Sequence, residues 1–459
     1  MIKVLVKVRT LFDLVSGYVR KHYFFFVLGL TMGMLAVFLG KDTQPENKEV
    51  IGIVGNYTVA TLPLSIQEKL SFGLTRLTTG GEATSSASIA FTASDSGRIL
   101  KFQLSSDLYW HDKTPFTAEN VNYNLKGVTI NKGDQTVSFT LKEPFAPLPV
   151  LLTQPLFKTG LIKSYPFFPD SINRLLFSSG LVGLGEYKLS SIEFFGRFIS
   201  NLEIKNVQDQ TVIKYKFYPS QVAALTALQL GQVERLTGIL SKELSHNPYY
   251  SVQANTQTYT QAMLFYNVEQ GFLADKNFRQ GLTYGLPDVF SQGVRADSPF
   301  PPHSWARSVL VKKYPQNLLL AKELLSKFAT GSAEKIRLKL TSSPALQASA
   351  QEIQLNWQKL GIETEIETVE LLPSRYQIYL GLVEIPPDPD QYFLWHSTQP
   401  TNISRYKSFK VDKLLEEGRR TLDRKERQQK YSDFQKAITE DVPAAFLFYP
   451  TVYDIKRKY

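Results

Sequence analysis

An uninterrupted apolar segment near the amino terminus constrains the fold of this chain more than any other feature of its sequence. Residues 23–40 (YFFFVLGLTMGMLAVFLG) contain no charged side chain, whereas residues 1–22 carry five lysines and arginines against one aspartate. As a helix, these eighteen residues are just long enough to cross a hydrocarbon core of about 30 Å. The more basic flank of such a segment stays in the cytoplasm. The sequence therefore predicts a cytoplasmic basic segment over 1–22, a transmembrane anchor over 23–40, a tether over 41–49 and an extracytoplasmic body.

A cleaved signal peptide is the alternative interpretation of the same segment. The basic stretch that precedes it is long for a signal peptide, and no Ala-x-Ala cleavage site follows it. The chain also has no cysteine that could carry a lipid anchor. These features favour an uncleaved, single-pass anchor in the cell membrane, with the large carboxy-terminal part on the extracytoplasmic face.

The composition excludes several classes of protein. A chain of 459 residues with 43% hydrophobic and 20% charged residues is a packed globular protein, with roughly three domains or one large two-lobed body. The absence of cysteine excludes disulfide scaffolds, thiolate metal sites and cysteine nucleophiles. The net charge is +10, of which residues 1–22 contribute five minus one, and the remainder forms no basic stripe. We therefore expect no binding of nucleic acid.

Hydrophobic periodicity predicts a mixture of strands and helices along the body. Strands are predicted at 50–55, 99–104, 136–142, 186–190, 195–204, 212–218, 262–268, 336–341, 362–367 and 444–449. Helices are predicted from Phe116, with Thr117 as the cap, and at 220–230, 276–286, 346–360, 411–423 and 424–440. Because strands and helices do not alternate strictly, mixed α/β lobes are favoured over a TIM barrel.

The sequence contains no spacing typical of a catalytic or metal centre. The five histidines are far apart, and none shares a metal-binding motif with a second histidine. We therefore expect no metal and no cofactor. Asp388 and Asp390 could supply a general acid and a general base, which keeps a surface-tethered hydrolase open as an alternative. Two aspartates in a proline-rich loop more commonly shape a turn.

Seven short motifs occur in a fixed order along the body. The first, residues 108–121 (LYWHDKTPFTAENV), is followed by motifs at 183–189, 223–234, 267–286, 301–306, 321–325 and 406–415. Together they resemble the family-5 extracytoplasmic solute-binding proteins of ABC importers, which include the oligopeptide and dipeptide binders. The resemblance covers nearly the whole extracytoplasmic chain.

The resemblance implies a two-lobed, periplasmic-binding-protein-like fold with an inserted subdomain. Lobe I would consist of 50–85, 183–261 and 441–459, the inserted subdomain of 86–182, and lobe II of 262–440. The lobes would close about two crossings, near 260–264 and 438–443.

The function that this resemblance implies is binding rather than catalysis. A monomer would capture a peptide or peptide-like solute between its lobes and deliver it to the permease subunits of an ABC importer. An adhesion or chaperone-like module with the same fold remains a further alternative. The residues expected to line the ligand are Tyr57, with its neighbours Asn56 and Thr58, and Ser304, Trp305, Glu384, Ile385, Asp388, Tyr392 and Trp395.

One position departs from the pattern of the peptide binders. In those proteins an aspartate three residues before the Asp-Pro pair holds the α-amino group of the peptide, and Ile385 occupies that position here. Glu384 is adjacent, but on a strand its side chain points to the opposite face. The resemblance therefore predicts a cleft without the usual amine anchor.

Several motif residues also have structural interpretations. Trp110 is predicted to be a core aromatic, and Arg279 an ion-pair partner on its helix. Gly183 and Gly185 are predicted to adopt positive φ at the entry to a strand.

Overall fold

The computed structural model describes residues 48–158, 181–240, 242, 244–328 and 336–458. The predicted cytoplasmic segment, the predicted anchor and residues 41–47 of the predicted tether lie outside the described residues. Within the described ranges, no helix is both long enough and apolar enough to cross a bilayer. Residues Glu49–Asp209 and Ile213–Tyr459 form one compact unit.

Eighteen strands lie within the described residues. They are β1 (Lys48–Val54), β2 (Thr75–Leu77), β3 (Ala83–Ser85), β4 (Ser88–Ser94), β5 (Ile99–Leu104), β6 (Val128–Lys132), β7 (Thr136–Leu141), β8 (Tyr187–Phe195), β9 (Phe198–Asn206), β10 (Val212–Tyr218), β11 (Arg235–Ile239), β12 (Tyr250–Thr256), β13 (Thr260–Tyr266), β14 (Gly293–Arg295), β15 (Arg337–Ser342), β16 (Glu363–Thr368), β17 (Ile378–Glu384) and β18 (Ala444–Arg457). Every strand predicted from periodicity is confirmed.

The described helices are concentrated in the second half of the chain. They are α1 (Leu64–Leu70), α2 (Leu148–Leu151), α3 (Gln221–Gln229), α4 (Lys276–Tyr284), α5 (Leu318–Ser326), α6 (Gln347–Gln358), α7 (Tyr392–Trp395), α8 (Phe409–Arg420) and α9 (Arg424–Asp441). The five helices predicted from Ser220 onwards are confirmed as α3, α4, α6, α8 and α9.

One large sheet joins the two lobes, with the strand order β16-β15-β17-β13-β18-β11-β1-β10-β9-β8. The long strand β18 belongs to both lobes. Its first part, Ala444–Phe448, pairs with β13, and its last part, from Thr451, pairs with β12. The partner changes at Pro450, which lacks the N–H group that a ladder needs. The second passage between lobes is the loop 257–259, between β12 and β13.

These two passages differ from the crossings predicted from the resemblance. Residues 260–264 lie inside β13, and 438–443 end α9 and lead into β18. Both predicted positions are therefore on the lobe II side of the observed changes in pairing. We propose to end lobe I at residue 256 and to place the return to lobe I at Pro450 rather than at residue 441.

Helices cover both faces of the lobe II part of the sheet. On one face α4 and α6 pack against β13, β15 and β17, and the indole of Trp357 donates to the Leu282 carbonyl at 2.9 Å. On the other face α8 and α9 contribute Leu415, Tyr431 and Phe434 to a core around Phe265. Because both faces are covered, β13 and the start of β17 are apolar almost throughout.

The inserted subdomain is built on a separate four-stranded sheet, β4-β5-β7-β6. Trp110 is 2% exposed in its core, which confirms the predicted role of this aromatic. The helix predicted from Phe116 is wrong, because only a single 3-10 turn forms at Ala118–Asn120. The Asn120 side chain accepts from the backbone N–H of Thr117 at 2.9 Å. This capping interaction closes the turn, and the chain after Val121 does not continue as a helix.

The two motif glycines are required for close backbone approach rather than for positive φ. Neither Gly183 nor Gly185 is among the residues with positive φ, so that prediction is wrong. A Cβ on Gly183 would lie 2.0 Å from the Leu70 carbonyl oxygen, and one on Gly185 would lie 2.3 Å from that of Lys69. These glycines, which directly follow the inserted subdomain, let the chain lie directly against α1 where it returns to lobe I.

Arg279 binds backbone carbonyls rather than the ion-pair partner that the sequence predicted. Its guanidinium donates to the carbonyl oxygens of Leu273, Ala274, Asp441 and Val442 at 2.5–2.9 Å. Two of these carbonyls belong to the end of α9, where helix carbonyls lack intrahelical partners. Arg279 therefore caps the helix that leads into β18.

Candidate functional site

The predicted ligand-lining residues fall into two groups in the structure. Tyr57 follows β1 in lobe I, where its hydroxyl donates to the Val54 carbonyl at 3.2 Å and its ring lies 5.4 Å from that of Phe217. It is half-buried, and burial raises the pKa of its hydroxyl. Asn56 and Thr58 flank Tyr57, and the other seven residues lie in lobe II, around the segment that connects β17 to α7 and the loop that carries Ser304 and Trp305.

The Asp388 carboxylate is fully used by a buried arginine. Both of its oxygens accept from the guanidinium of Arg427, at 2.8 and 3.1 Å, and both side chains are 7% exposed. Burial disfavours the charge of Arg427, but the Asp388 carboxylate more than offsets this and raises the arginine pKa. The Arg427 Nε also donates to the Gly418 carbonyl at 2.9 Å. Asp388 thus holds α9 in place and offers no free oxygen to a ligand.

Asp390 forms a second ion pair beside the first. Its Oδ2 lies 2.9 Å from the Nε of Arg419, and burial raises the pKa of this carboxyl, an effect that Arg419 partly offsets. Each aspartate also closes a turn: Asp388 accepts from the Asp390 N–H at 3.0 Å, and Asp390 from the Tyr392 N–H at 3.2 Å. The turn-shaping interpretation is therefore confirmed. Two carboxylates that are each paired with an arginine do not form the open acid–base pair that a hydrolase needs.

Aromatic rings surround the two arginines. The Arg419 guanidinium lies 4.0 Å from the ring centroid of Tyr392, which stacks on His396 with centroids 4.0 Å apart. Trp305 has the guanidinium of Arg427 5.3 Å from its own ring centroid. Cation–π contacts at these distances are favourable, and more so when they are shielded from water. Tyr392 and Trp305 are both half-buried, so each retains surface that a solute can contact.

Ile385 and Trp395 are core residues of lobe II. Ile385 is 2% exposed in the cluster that contains Met263 and Phe265. Trp395 is fully buried, and its indole donates to the Gln391 side chain at 2.8 Å. A loop of lobe II packs over Ile385 in the structure, and contact of Ile385 and Trp395 with a ligand stays a prediction.

Buried glutamines hold that covering loop, residues 298–306. Gln261 donates to the Ser298 carbonyl at 2.9 Å, and Gln391 to the Pro299 carbonyl at 2.6 Å. The amide of Gln435 donates to the Ala306 carbonyl at 2.8 Å, directly after Trp305. Sequence analysis missed these glutamines, because a buried amide that binds a distant backbone leaves no periodic signal.

Within the described residues, one edge of β17 has no partner strand over its last residues. Its pairing with β15 ends at Leu380, whereas its pairing with β13 continues to Glu384. The Ile385 N–H donates to the Tyr259 carbonyl on the β13 side at 2.7 Å, so by alternation the backbone groups of Leu382 and Glu384 point the other way. Leu382 is 39% exposed, and Glu384 is exposed as well. This part of the described ladder can accept a further strand.

His111, in the first motif, is a half-buried neutral base. Its Nε2 lies 2.9 Å from the Gly185 carbonyl oxygen, and its Nδ1 accepts from the Gly183 N–H at 3.3 Å. These partners assign the proton to Nε2. Burial lowers the pKa of His111, and the hydrogen bond to Gly185 offsets only part of that shift.

The protein is therefore expected to lose stability as the pH falls below about 6.5. An unfolded histidine gains a proton there, whereas the folded His111 resists it, so the free energy of unfolding falls with pH. His111→Gln should flatten this part of the profile in urea unfolding. His303→Gln, at an exposed position, is the control and should leave the slope unchanged. An equally steep profile in His111→Gln would contradict the assignment.

Among the described residues, no group of three or more histidine and carboxylate side chains could hold a metal ion. What lobe II offers instead, within the described residues, is a strand edge without a partner at Leu382 and Glu384 and two half-buried aromatic rings, Trp305 and Tyr392. Lobe I presents Tyr57 at the end of a strand of the same sheet. Two α/β lobes that share a sheet through two passages define the class of bilobed solute-binding proteins.

The chain belongs to the bacterial extracellular solute-binding proteins, family 5, whose model matches residues 128–405. It is 24% identical to the oligopeptide-binding protein AppA of Bacillus subtilis over 52% of this chain and 50% of that protein. It is 23% identical to the dipeptide-binding protein of Escherichia coli over 80% of each chain. The first alignment thus spans about half the length of AppA, and the second spans most of the dipeptide-binding protein.

Solved structures show the same fold over most of the chain. NikZ from Campylobacter jejuni, in complex with Ni(L-His), has a TM-score of 0.73 and 20% identity over 90% of this chain and 94% of its own. AppA from Bacillus subtilis, in complex with a nonapeptide, has a TM-score of 0.69 and 20% identity over 90% and 95%. The mixed α/β, two-lobed solute-binding fold is therefore confirmed.

Proposed function

We propose that this protein captures a peptide or peptide-like solute between its lobes and delivers it to the permease subunits of an ABC importer. The free edge of β17 at Leu382 and Glu384 carries the proposal. An extended peptide can pair its backbone with such an edge, and this gives affinity with little dependence on side chains. Relatives named as oligopeptide- and dipeptide-binding proteins support the same assignment.

The walls of the site are proposed to be aromatic and the floor to be a strand. Tyr57 in lobe I, with Trp305 and Tyr392 in lobe II, are half-buried and retain contact surface. Glu384 is exposed beside the free edge, where it could interact with a cationic side chain of the solute. Asp388 contributes indirectly, because its ion pair with Arg427 positions the arginine under Trp305.

The direct test is a thermal-shift screen of the purified protein against a pool of tri- to octapeptides. We expect the pool to raise the melting temperature, because a ligand that binds only the folded state stabilises it. A matched mixture of free amino acids is the control and should leave the melting temperature unchanged. No shift with any peptide pool would refute the proposed function.

A free peptide amino group is expected to contribute little to binding. Ile385 lies in an apolar core, and the nearest carboxylate along the chain, Glu384, is on the other face of β17. One peptide that binds in the screen is therefore titrated with a free and with an acetylated amino terminus. We expect the two dissociation constants to differ by less than about tenfold. A larger loss on acetylation would mean that a carboxylate reads the amine, and Glu384→Ala would show whether it is this one.

We further infer that residues 23–40 anchor the protein in the membrane as a single span, with the body outside. The length of the charge-free run and the basic residues before it support this inference. Protease added to intact cells is expected to release a fragment close in size to the body. Protection of that fragment would place the body in the cytoplasm and would also remove the basis for an importer.

A further inference from the structure

Residues 419–424 comprise the end of α8, the start of α9 and the turn between them, and they make one ion pair with the inserted subdomain and one with lobe I. The Arg420 Nη2 lies 2.8 Å from the Glu143 Oε2, and the Arg424 guanidinium pairs with Glu82. All four side chains are about half exposed, between 49% and 63%. Glu143 lies in the inserted subdomain, whereas Glu82 lies in lobe I between β2 and β3, so the contact is broad rather than a single point.

Backbone and ring contacts also join the inserted subdomain to residues 419–424 of lobe II. The Arg419 carbonyl accepts from the Ala146 N–H at 2.8 Å, and the Arg419 guanidinium lies 5.1 Å from the ring centroid of Phe145. Leu422 covers Gly97, where an added Cβ would lie 2.4 Å from a Leu422 methyl carbon. Three segments that are distant in sequence, two in the subdomain and one in lobe I, therefore meet residues 419–424 of lobe II.

The inserted subdomain is in turn fixed to lobe I. Gly183 and Gly185, which directly follow it, lie against the last residues of α1, and the Gly185 N–H donates to the Leu70 carbonyl at 2.9 Å. The hydroxyl of Ser71, in lobe I, also donates to the carbonyl of Leu156, in the subdomain. A contact between the subdomain and lobe II is therefore also a contact between lobe I and lobe II.

We propose that residues 419–424 form a clamp that holds the inserted subdomain against lobe II and biases the two lobes towards their closed arrangement without any bound solute. The clamp consists of protein groups alone, so it acts whether or not a ligand is present. Exposed ion pairs are individually weak, so the clamp shifts the equilibrium between open and closed lobes and does not lock it. A larger closed fraction raises the apparent affinity for any solute that prefers closed lobes.

The absence of native cysteine allows a direct measurement of lobe separation. Spin labels on Asp134→Cys, at the tip of the β6–β7 hairpin, and on Gln429→Cys, on α9, are exposed and lie on either side of the clamp. The distance between them is measured by pulsed dipolar spectroscopy on the full-length protein in lipid nanodiscs, with no peptide added. Because no solute is used, the outcome does not depend on the proposed ligand.

The decisive variants change the sign of one ion pair and then restore it. Glu143→Arg places two arginines opposite each other and is expected to lower the ratio of closed to open molecules by about fivefold or more. The swap Glu143→Arg with Arg420→Glu restores the attraction and is expected to return the distances to those of the parent protein. Lys407→Glu, which breaks a comparably exposed pair with Glu269 inside lobe II, is the control.

Three results would overturn the proposal. The first is a distance distribution in Glu143→Arg that matches that of the parent. The second is a shift that the charge swap does not reverse, because the effect would then not come from the pair. The third is an equal shift in Lys407→Glu, which would indicate a general response to charge.

Raising the salt concentration should also lengthen the distances in the parent protein, because exposed charges are screened.

Discussion

Replacing Arg427 with alanine is expected to lower the free energy of unfolding by about 3–5 kcal/mol, measured by urea unfolding. The substitution leaves the Asp388 carboxylate buried at 7% exposure without its partner, and it removes the hydrogen bond to the Gly418 carbonyl. A buried charge without compensation is far more costly than the pair is stabilising. The loss should therefore exceed that of any exposed ion pair in the protein.

Two further variants separate this mechanism from a loss of packing. Arg427→Met combined with Asp388→Leu removes both charges and is expected to recover most of the stability. Lys407→Ala breaks an exposed pair and should cost less than about 1 kcal/mol. A double variant as unstable as Arg427→Ala would show that the packing of α9, rather than the unpaired carboxylate, determines the effect.

Trp395→Ala is expected to destabilise the protein by about 3–5 kcal/mol. Its ring is fully buried between Phe265 and Phe446. The substitution also removes the indole hydrogen bond, which leaves the Gln391 side-chain oxygen without this donor. Phe409→Ala, at a position that is 86% exposed, is the control and should change stability by less than about 0.5 kcal/mol. If Trp395→Ala weakened peptide binding while the unfolding free energy stayed the same, Trp395 would be a cleft wall after all.

The elements that depend on local pattern could be predicted from the sequence. The strand Ile99–Leu104 alternates buried and exposed residues along its length, and this period is visible without the fold. The ends of α3 and α6 are followed by Gly231 and Gly361, whose positive φ stops a helix. The two-lobed arrangement could be predicted only from the order of the short motifs, because hydrophobic periodicity does not indicate how strands and helices are divided between lobes.

The parts of the site that depend on distant contacts could not be predicted. Nothing local indicates that Asp388 pairs with Arg427, since α9 appears in the sequence only as a highly charged helix. The burial of Ile385 and Trp395 depends on a loop that Gln261 and Gln435 hold from other elements. The length of β18 was underestimated because Pro450 interrupts it, and a proline is usually a sign that a strand ends.

A solute is expected to pair as a strand with the free edge of β17 at Leu382 and Glu384. A peptide selected from the thermal-shift screen is therefore methylated at one backbone nitrogen at a time, and each product is titrated calorimetrically into the parent protein. Adjacent residues of a strand point their backbone groups to opposite sides. We predict a loss of affinity of about tenfold at every second position and little loss between them. Equal losses at all positions, or none, would contradict strand pairing at Leu382 and Glu384.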